Sequence, residues 1–487
     1  KYCFKKMNNN KTIFFILGIL QIILGFSMIF PIIIQFIYNE FDSTFISSGL
    51  ITIIAGILFC LANLDQSKKI NLQQAFLLTS LSWISVAAFG SLPFIFSNMN
   101  FSFSDAFFES MSGITTTGSS VIDNLLITPK GILLWRAILQ WLGGIGIVVM
   151  AITLMPLMKV GGMQLFKIDS GDSSEKILPK TREIAMRIFL IYLFLTMLCL
   201  SSYFVAGMNI FDSITHSMTT IATGGFSNYN KSIGYFQNSI IEIIAIIFIL
   251  AGSIPFIAYL KYIAGNKKIF FQDIQIKGLF KICAISVLII FIYLFFNNQE
   301  NFLTNLRISA FNVVSILSGT GYVTSNFDLW GEFSLVFFLI LMFIGGCAGS
   351  TACGIKIFRI QILWLFIKTQ IKKIIYPRGI FPISYNNEKI NEKFLSSIIS
   401  FIFLYFLIFF IIAILLSFSG LNFITSISGA ATSISNVGPG LGEIIGPNGS
   451  FKDIPTFSKW VLSLGMLLGR LEIFALLVLF FPNFWKN

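Results

Sequence analysis

The chain has 487 residues, of which 56% are hydrophobic and 11% charged, and its formal net charge is +12. The charged share is about half that of an ordinary soluble domain, and apolar runs long enough to cross roughly 30 Å of hydrocarbon recur along the whole length. A soluble globular fold is excluded, and the placement of the basic residues argues against nucleic acid as their partner.

From the N-terminus, hydropathy predicts membrane-spanning helices near 13–36, 46–64, 73–96, 132–158, 185–206, 237–260, 278–296, 332–366, 394–418 and 458–481. The first apolar run, Ile13 to about Phe36, follows Lys5, Lys6 and Lys11. It is longer than a signal-peptide core and lacks a small-residue cleavage site, so it is expected to stay as a helix. Threaded from an inside start, the spans leave 1–12, 65–72, 159–187, 261–281, 356–393 and 482–487 on one face, with most of the 33 Lys and Arg. The other face holds only Lys130, Arg136, Lys231, Arg307, Lys452 and Lys459, and Arg470 lies inside the last span. Basic residues gather on the cytoplasmic side of membrane proteins, so both termini are expected there. The cysteines Cys3, Cys60, Cys199, Cys283, Cys347 and Cys353 form no CxxC pair, which supports neither a disulfide framework nor a zinc site.

Four shorter segments, near 103–115, 210–222, 307–317 and 422–434, lie between full-length helices, and each runs into Gly-, Thr- and Ser-rich sequence. After the first two spans the order is therefore helix, short helix, loop, helix, four times over. The loops align without gaps over seven residues: Ser112–Gly118, Thr219–Gly225, Ser315–Gly321 and Thr432–Gly438. A hydroxyl residue opens each and a glycine closes each; Asp105 and Asp212 fall at matching upstream positions, where an acidic residue can cap a short helix. One such loop alone reads as ordinary small-residue packing between helices; four aligned copies predict a pseudo-fourfold arrangement. The expected fold is an all-α polytopic membrane protein with four helix–pore-helix–helix repeats around one pore, plus two N-terminal transmembrane helices. The expected divisions are 1–70 for the N-terminal pair, then repeats at 71–160, 161–265, 266–375 (with a gating loop) and 376–487.

Irregular backbone at membrane depth is tolerated only where it is buried in protein or lines water. Four re-entrant loops meeting on one axis provide such a lining, and their carbonyls can replace the hydration shell of a monovalent cation. Glycine permits the backbone angles this requires, hydroxyls can secure the loop, and each short helix turns its negative C-terminal end toward the axis. The candidate filter residues are Thr116, Thr117, Gly118, Thr223, Gly224, Gly225, Gly319, Thr320, Gly321, Asn436, Val437 and Gly438. They include no carboxylate, which favours potassium over calcium. Thr117 and Thr320 precede their glycines but Gly224 and Val437 take the equivalent places, and Pro439 stiffens the fourth loop, so imperfect symmetry and fewer well-formed ion sites are expected.

At this point the sequence resembles the Trk/Ktr/HKT superfamily of potassium transporters, closest to its bacterial TrkH branch. The likeness spans nearly the whole chain and rests on five stretches. These are Trp141–Gly146, Ala222–Ser227, Gly345–Lys356, Asn436–Gly442 and Gly469–Phe474. It implies potassium uptake across the bacterial inner membrane by a homodimer with one pore per protomer, regulated by a cytoplasmic TrkA-type ring. That ring would bind the nucleotide, since this chain has no Walker or Rossmann fingerprint. Glycine at all four closing positions matches the potassium-selective pattern; serine at the first is associated with sodium transport in some plant relatives.

The stretch 345–354 places Gly345, Gly346, Gly349 and Gly354 inside a predicted span, enough to break a helix. The resemblance implies a gating loop there, with Cys353 standing where relatives commonly have Gly. A guanidinium inside an apolar span is costly and must find acceptors; the resemblance places Arg470 beside the gating loop as part of the ion barrier, and pairing with Glu472 or with a cluster of carbonyls, for structure only, is the alternative. His216, the only histidine, is expected to pack or cap rather than relay protons, while Glu109 and Asp105 could concentrate cations or cap helices. An ion-coupled (sodium or proton) symporter is the main rival, although such proteins use inverted repeats and these four run in one orientation. With one histidine and no nucleophile motif, the chain offers no catalytic constellation for an enzyme.

Overall fold

The computed structural model describes residues 2–64, 71–153, 177–297, 301–386 and 388–485. Much of the basic segments 65–72 and 159–187 lies outside them. Described residues are helical apart from loops and one two-stranded hairpin, Ser384–Tyr385 with Glu388–Lys389. Among the described residues, seven helices are long and apolar enough to cross a membrane, or up to nine if each sharply bent pair counts as one span.

Helix Tyr2–Ser27 continues as Ile29–Ile37 and packs along Thr44–Leu61. The close approach is set by small residues: a Cβ on Gly18 would lie 2.6 Å from Gly56 O, so glycine lets the two backbones nearly touch. Four units follow, each a helix, a pore helix and a second helix. The pore helices are Phe103–Ile114, Ile210–Ile221, Phe302–Leu317 and Phe423–Ser435; the third begins about one turn before the expected start. This is the pseudo-fourfold all-α architecture that the repeat predicts.

Three predicted spans are broken. The one at 237–260 bends by 87° between Ser239–Ser253 and Phe256–Ile263, and the one at 458–481 bends by 106° between Thr456–Arg470 and Phe474–Phe480. The span at 332–366 divides into Glu332–Phe343 and Ile357–Ile375, with residues 344–356 irregular between them. Hydropathy averages over such breaks because the interrupting residues are themselves apolar or small. At the breaks in 237–260 and 332–366 the two interruptions meet: Pro255 cannot donate, Phe256 N donates instead to Gly349 O at 2.9 Å, and Cys347 N donates to Ser253 O at 3.2 Å. Backbone groups released by one broken helix are thus satisfied by the other, as burial demands.

Candidate functional site: four loops on one axis above a folded inner loop

Each pore helix ends the same way. The N–H of the fifth loop residue bonds the carbonyl of the second, and the N–H of the sixth bonds the carbonyl of the first. Thus Thr116 N donates to Gly113 O and Thr117 N to Ser112 O, both at 2.9 Å, and equivalent pairs join Thr223 and Gly224 to Thr220 and Thr219. The third and fourth loops repeat this with Gly319, Thr320, Asn436 and Val437. This double bond closes a helix on a left-handed residue, and the fifth residues comply, with φ of 53° at Thr116, 49° at Thr223, 75° at Gly319 and 53° at Asn436. Gly319 takes this conformation freely and Asn436 at little cost, whereas Thr116 and Thr223 hold strain of about 1–2 kcal/mol each.

The seventh residues, Gly118, Gly225, Gly321 and Gly438, also have positive φ, and they join the loops into a ring. A Cβ on Gly118 would collide with Gly224 O, on Gly225 with Thr320 O, and on Gly321 with Val437 O; on Gly438 it would lie 2.8 Å from Thr117 O. Each closing glycine therefore abuts the sixth-residue carbonyl of the next loop, in the order first, second, third, fourth and back to first. All four line one cavity of about 80 Å³, together with Ser119, Ser120, Ser227 and Asn230.

Side chains brace the loops from behind. Thr115 and Thr117 hydroxyls pair at 2.8 Å, Ser318 and Thr320 hydroxyls at 2.7 Å, and Asn436 Nδ2 donates to Thr117 Oγ1 at 2.9 Å. The irregular second loop has a substitute: Gln140 Nε2 donates to Gly224 O at 2.6 Å, and its Oε1 accepts from Phe226 N at 3.0 Å. A Cβ on Gly224 would strike this amide, so Gln140 fills the space that a side chain takes in the other loops. A second polar side chain one turn after Arg136, in a helix that is otherwise apolar beyond Lys130, was the available sequence signal.

The carboxylates stand differently from the expectation. Glu109 is 0% exposed and binds Arg136, itself 2% exposed, at 2.7 Å; Val121 N donates to the same carboxylate at 2.8 Å. It is neutralised inside the wall rather than presented to entering cations. The helix caps are Ser102 and Asn209, whose side chains accept from Asp105 N and Asp212 N. Asp105 accepts from Lys459 Nζ at 2.6 Å, and Asp212 from Asn228 and Tyr229 at 2.7 Å. His216 packs as expected, between Asp212 O at 2.9 Å and Ser227 Oγ at 3.0 Å. In the connection that follows the third pore helix, Asp328 Oδ2 accepts from Gly442 N at 2.9 Å, and burial pushes its carboxyl up to about 6.

On the inner side of the ring, residues 344–356 fold back on themselves. Ile355 N donates to Phe343 O and Gly345 N to Ile355 O, so Gly345 and Gly354 lie face to face, and a Cβ on Gly345 would overlap Cys353 O. Gly346 packs on Ala352, and Gly349 and Gly354 each have φ of 73°. The loop's tip reaches the candidate filter: Thr351 Oγ1 lies 3.2 Å from Thr223 Oγ1, and Cys353 Sγ lies 3.6 Å from Thr116 Oγ1. Arg470 ends its helix at the 106° bend and donates to Thr351 O at 3.2 Å, to Cys353 Sγ, and to Gly143 O at 3.3 Å. It does not pair with Glu472, which binds Arg359 instead.

Residues 41–487 match the model of a family described as TrkH, cation transport protein. The chain is 39% identical over 474 residues to the Trk system potassium uptake protein TrkI of Halomonas elongata, covering 97% of this chain and 96% of that one. It is 34% identical over 478 residues to the Trk system potassium uptake protein TrkH of Salmonella typhimurium, covering 97% and 98%. The crystal structure of the potassium transporter TrkH from Vibrio parahaemolyticus superposes with a TM-score of 0.90 at 33% identity, covering 98% of this chain and 99% of that one.

Proposed function

Because this chain belongs to the TrkH family of cation transport proteins, a family of ion transporters rather than enzymes, we propose that it takes up potassium through a channel-like pore. Ions pass the four-loop ring and are gated by the loop 344–356 beneath it. The observation that carries this reading is the closed order of contacts among Gly118, Gly225, Gly321 and Gly438. It sets four carbonyl-bearing segments about one axis, with no carboxylate among the twelve candidate filter residues. Backbone oxygens at fixed spacing replace the water shell of a weakly hydrated monovalent cation. The pore-helix C-termini add negative potential where the ion sits.

On this reading Gly345, Gly346, Gly349 and Gly354 give the inner loop its tight fold, and Arg470 supplies a positive charge at the path beneath the ring. Residues 1–70 form an N-terminal helix pair, and 71–160, 161–265, 266–375 and 376–487 are the four repeats. The protein sits in the bacterial inner membrane with both termini cytoplasmic, as a homodimer controlled by a TrkA-type nucleotide-binding ring. The chain itself needs no nucleotide. An inside surface for such a ring is supported by Lys368, Lys372, Lys373 and Arg378, exposed along and just beyond the helix that continues the inner loop.

The test is cation uptake into liposomes containing the purified chain, with and without the ring and nucleotide. Passive uptake of potassium and rubidium well above sodium and lithium is expected. Gly118→Ser, which forces a side chain toward Gly224 O at φ +91°, is expected to lower both uptake and potassium-to-sodium discrimination by about tenfold or more. Uptake that stops unless a sodium or proton gradient is also imposed overturns the channel reading in favour of coupled symport.

A further inference from the structure

We propose that Cys353 is a peroxide-sensitive modification site whose sulfenic acid is captured by Arg470 and holds the inner loop closed. The proposal rests on the reading of 344–356 as a gate. Cys353 and Arg470 are each 4% exposed. Both line a small cavity of about 20 Å³ shared with Lys356 and Glu472, and a site of that size holds about one water-sized oxygen. Arg470 directs Nη1 at the sulfur, yet its Nε is a buried donor with no partner among the described residues. A buried donor left unsatisfied costs about 1–3 kcal/mol, so the site has space for one added oxygen and an idle donor to receive it.

The chemistry balances with hydrogen peroxide as the oxidant. The sulfur attacks one peroxide oxygen, an S–O bond forms, and the O–O bond breaks. Sulfur loses two electrons; the other oxygen leaves as water with the thiol proton, giving Cys–SOH. A guanidinium at hydrogen-bond distance stabilises the oxygen that the oxidised sulfur gains. The new oxygen exchanges a weak sulfur acceptor for a charge-assisted one. That exchange ties the loop more firmly to Arg470 at the point where Cys353 meets Thr116 of the first filter loop.

The experiment uses the full chain in liposomes. Rubidium uptake is measured before and after hydrogen peroxide; the sample is then quenched, denatured with dimedone and mapped by peptide mass spectrometry. The expected result is a dimedone adduct on the Cys353 peptide with uptake reduced by about fivefold, the gain of a charge-assisted over a neutral hydrogen bond. Cys353→Gly and Cys353→Ser, each compared with its own untreated sample, should change less than about twofold on the same scale. Absence of the adduct, an adduct without a change in uptake, or an equal loss in Cys353→Gly overturns the proposal. A chain carrying no rubidium before treatment fails the transport reading instead, while the adduct still decides whether Cys353 is the site.

Discussion

Arg470 places a full positive charge beside the inner face of the ring, held by Thr351 O and Gly143 O rather than by a carboxylate. A monovalent cation about 5 Å away meets a barrier of about 3 kcal/mol at an effective dielectric of 20. Arg470→Ala should therefore raise basal rubidium uptake by at least about tenfold, and an unchanged rate in a folded variant would remove the residue from the gate. Asp328 makes a different prediction. Its carboxyl is raised to about 6 by burial, partly opposed by the Gly442 N–H. The fold thus favours the protonated form, and the stability this contributes is present below the ordinary carboxylate value and lost as pH rises through about 6. Thermal stability should increase on going from pH 7 to pH 5, and Asp328→Asn, which keeps an acceptor for Gly442, should flatten that dependence in a melting series.

Among the elements, the loops show most clearly what sequence can reveal. The closing glycines and opening hydroxyls of the four copies were legible because every copy repeats them at a fixed spacing. The left-handed residue two places earlier was not, since Thr116, Thr223 and Asn436 do not announce positive φ and are held there by the helix-ending hydrogen bonds. The broken spans at 237–260 and 458–481 were read as continuous because each is apolar on both sides of its bend. Ion pairing was also hidden: Glu109 pairs with Arg136 on the next helix of the same unit, and Glu472 of the fourth unit with Arg359 of the third. Gln140 belongs to the same class, supporting the second loop from the helix of the first unit. Gln140→Ala would release Gly224 O and leave Phe226 N without its acceptor, two losses of about 1 kcal/mol each. Rubidium-over-sodium selectivity should fall by roughly five- to tenfold, with bulk uptake less affected.

For the whole molecule, the proposed orientation rests on charge placement, and Lys368, Lys372 and Lys373 are exposed on the helix that follows the loop 344–356. In a background without native cysteines, Asn448→Cys beside that cavity should react with an impermeant thiol reagent from outside the cell. Lys372→Cys should react only after the membrane is opened; the reverse pattern would invert the topology. The ring of contacts through Gly118, Gly225, Gly321 and Gly438 has an evolutionary corollary. A pore assembled from four identical subunits receives every codon change in quadruplicate. Here a single codon alters one quadrant while three keep their geometry, so ion preference can be adjusted in quarter steps, and the quadrants are free to diverge into distinct tasks.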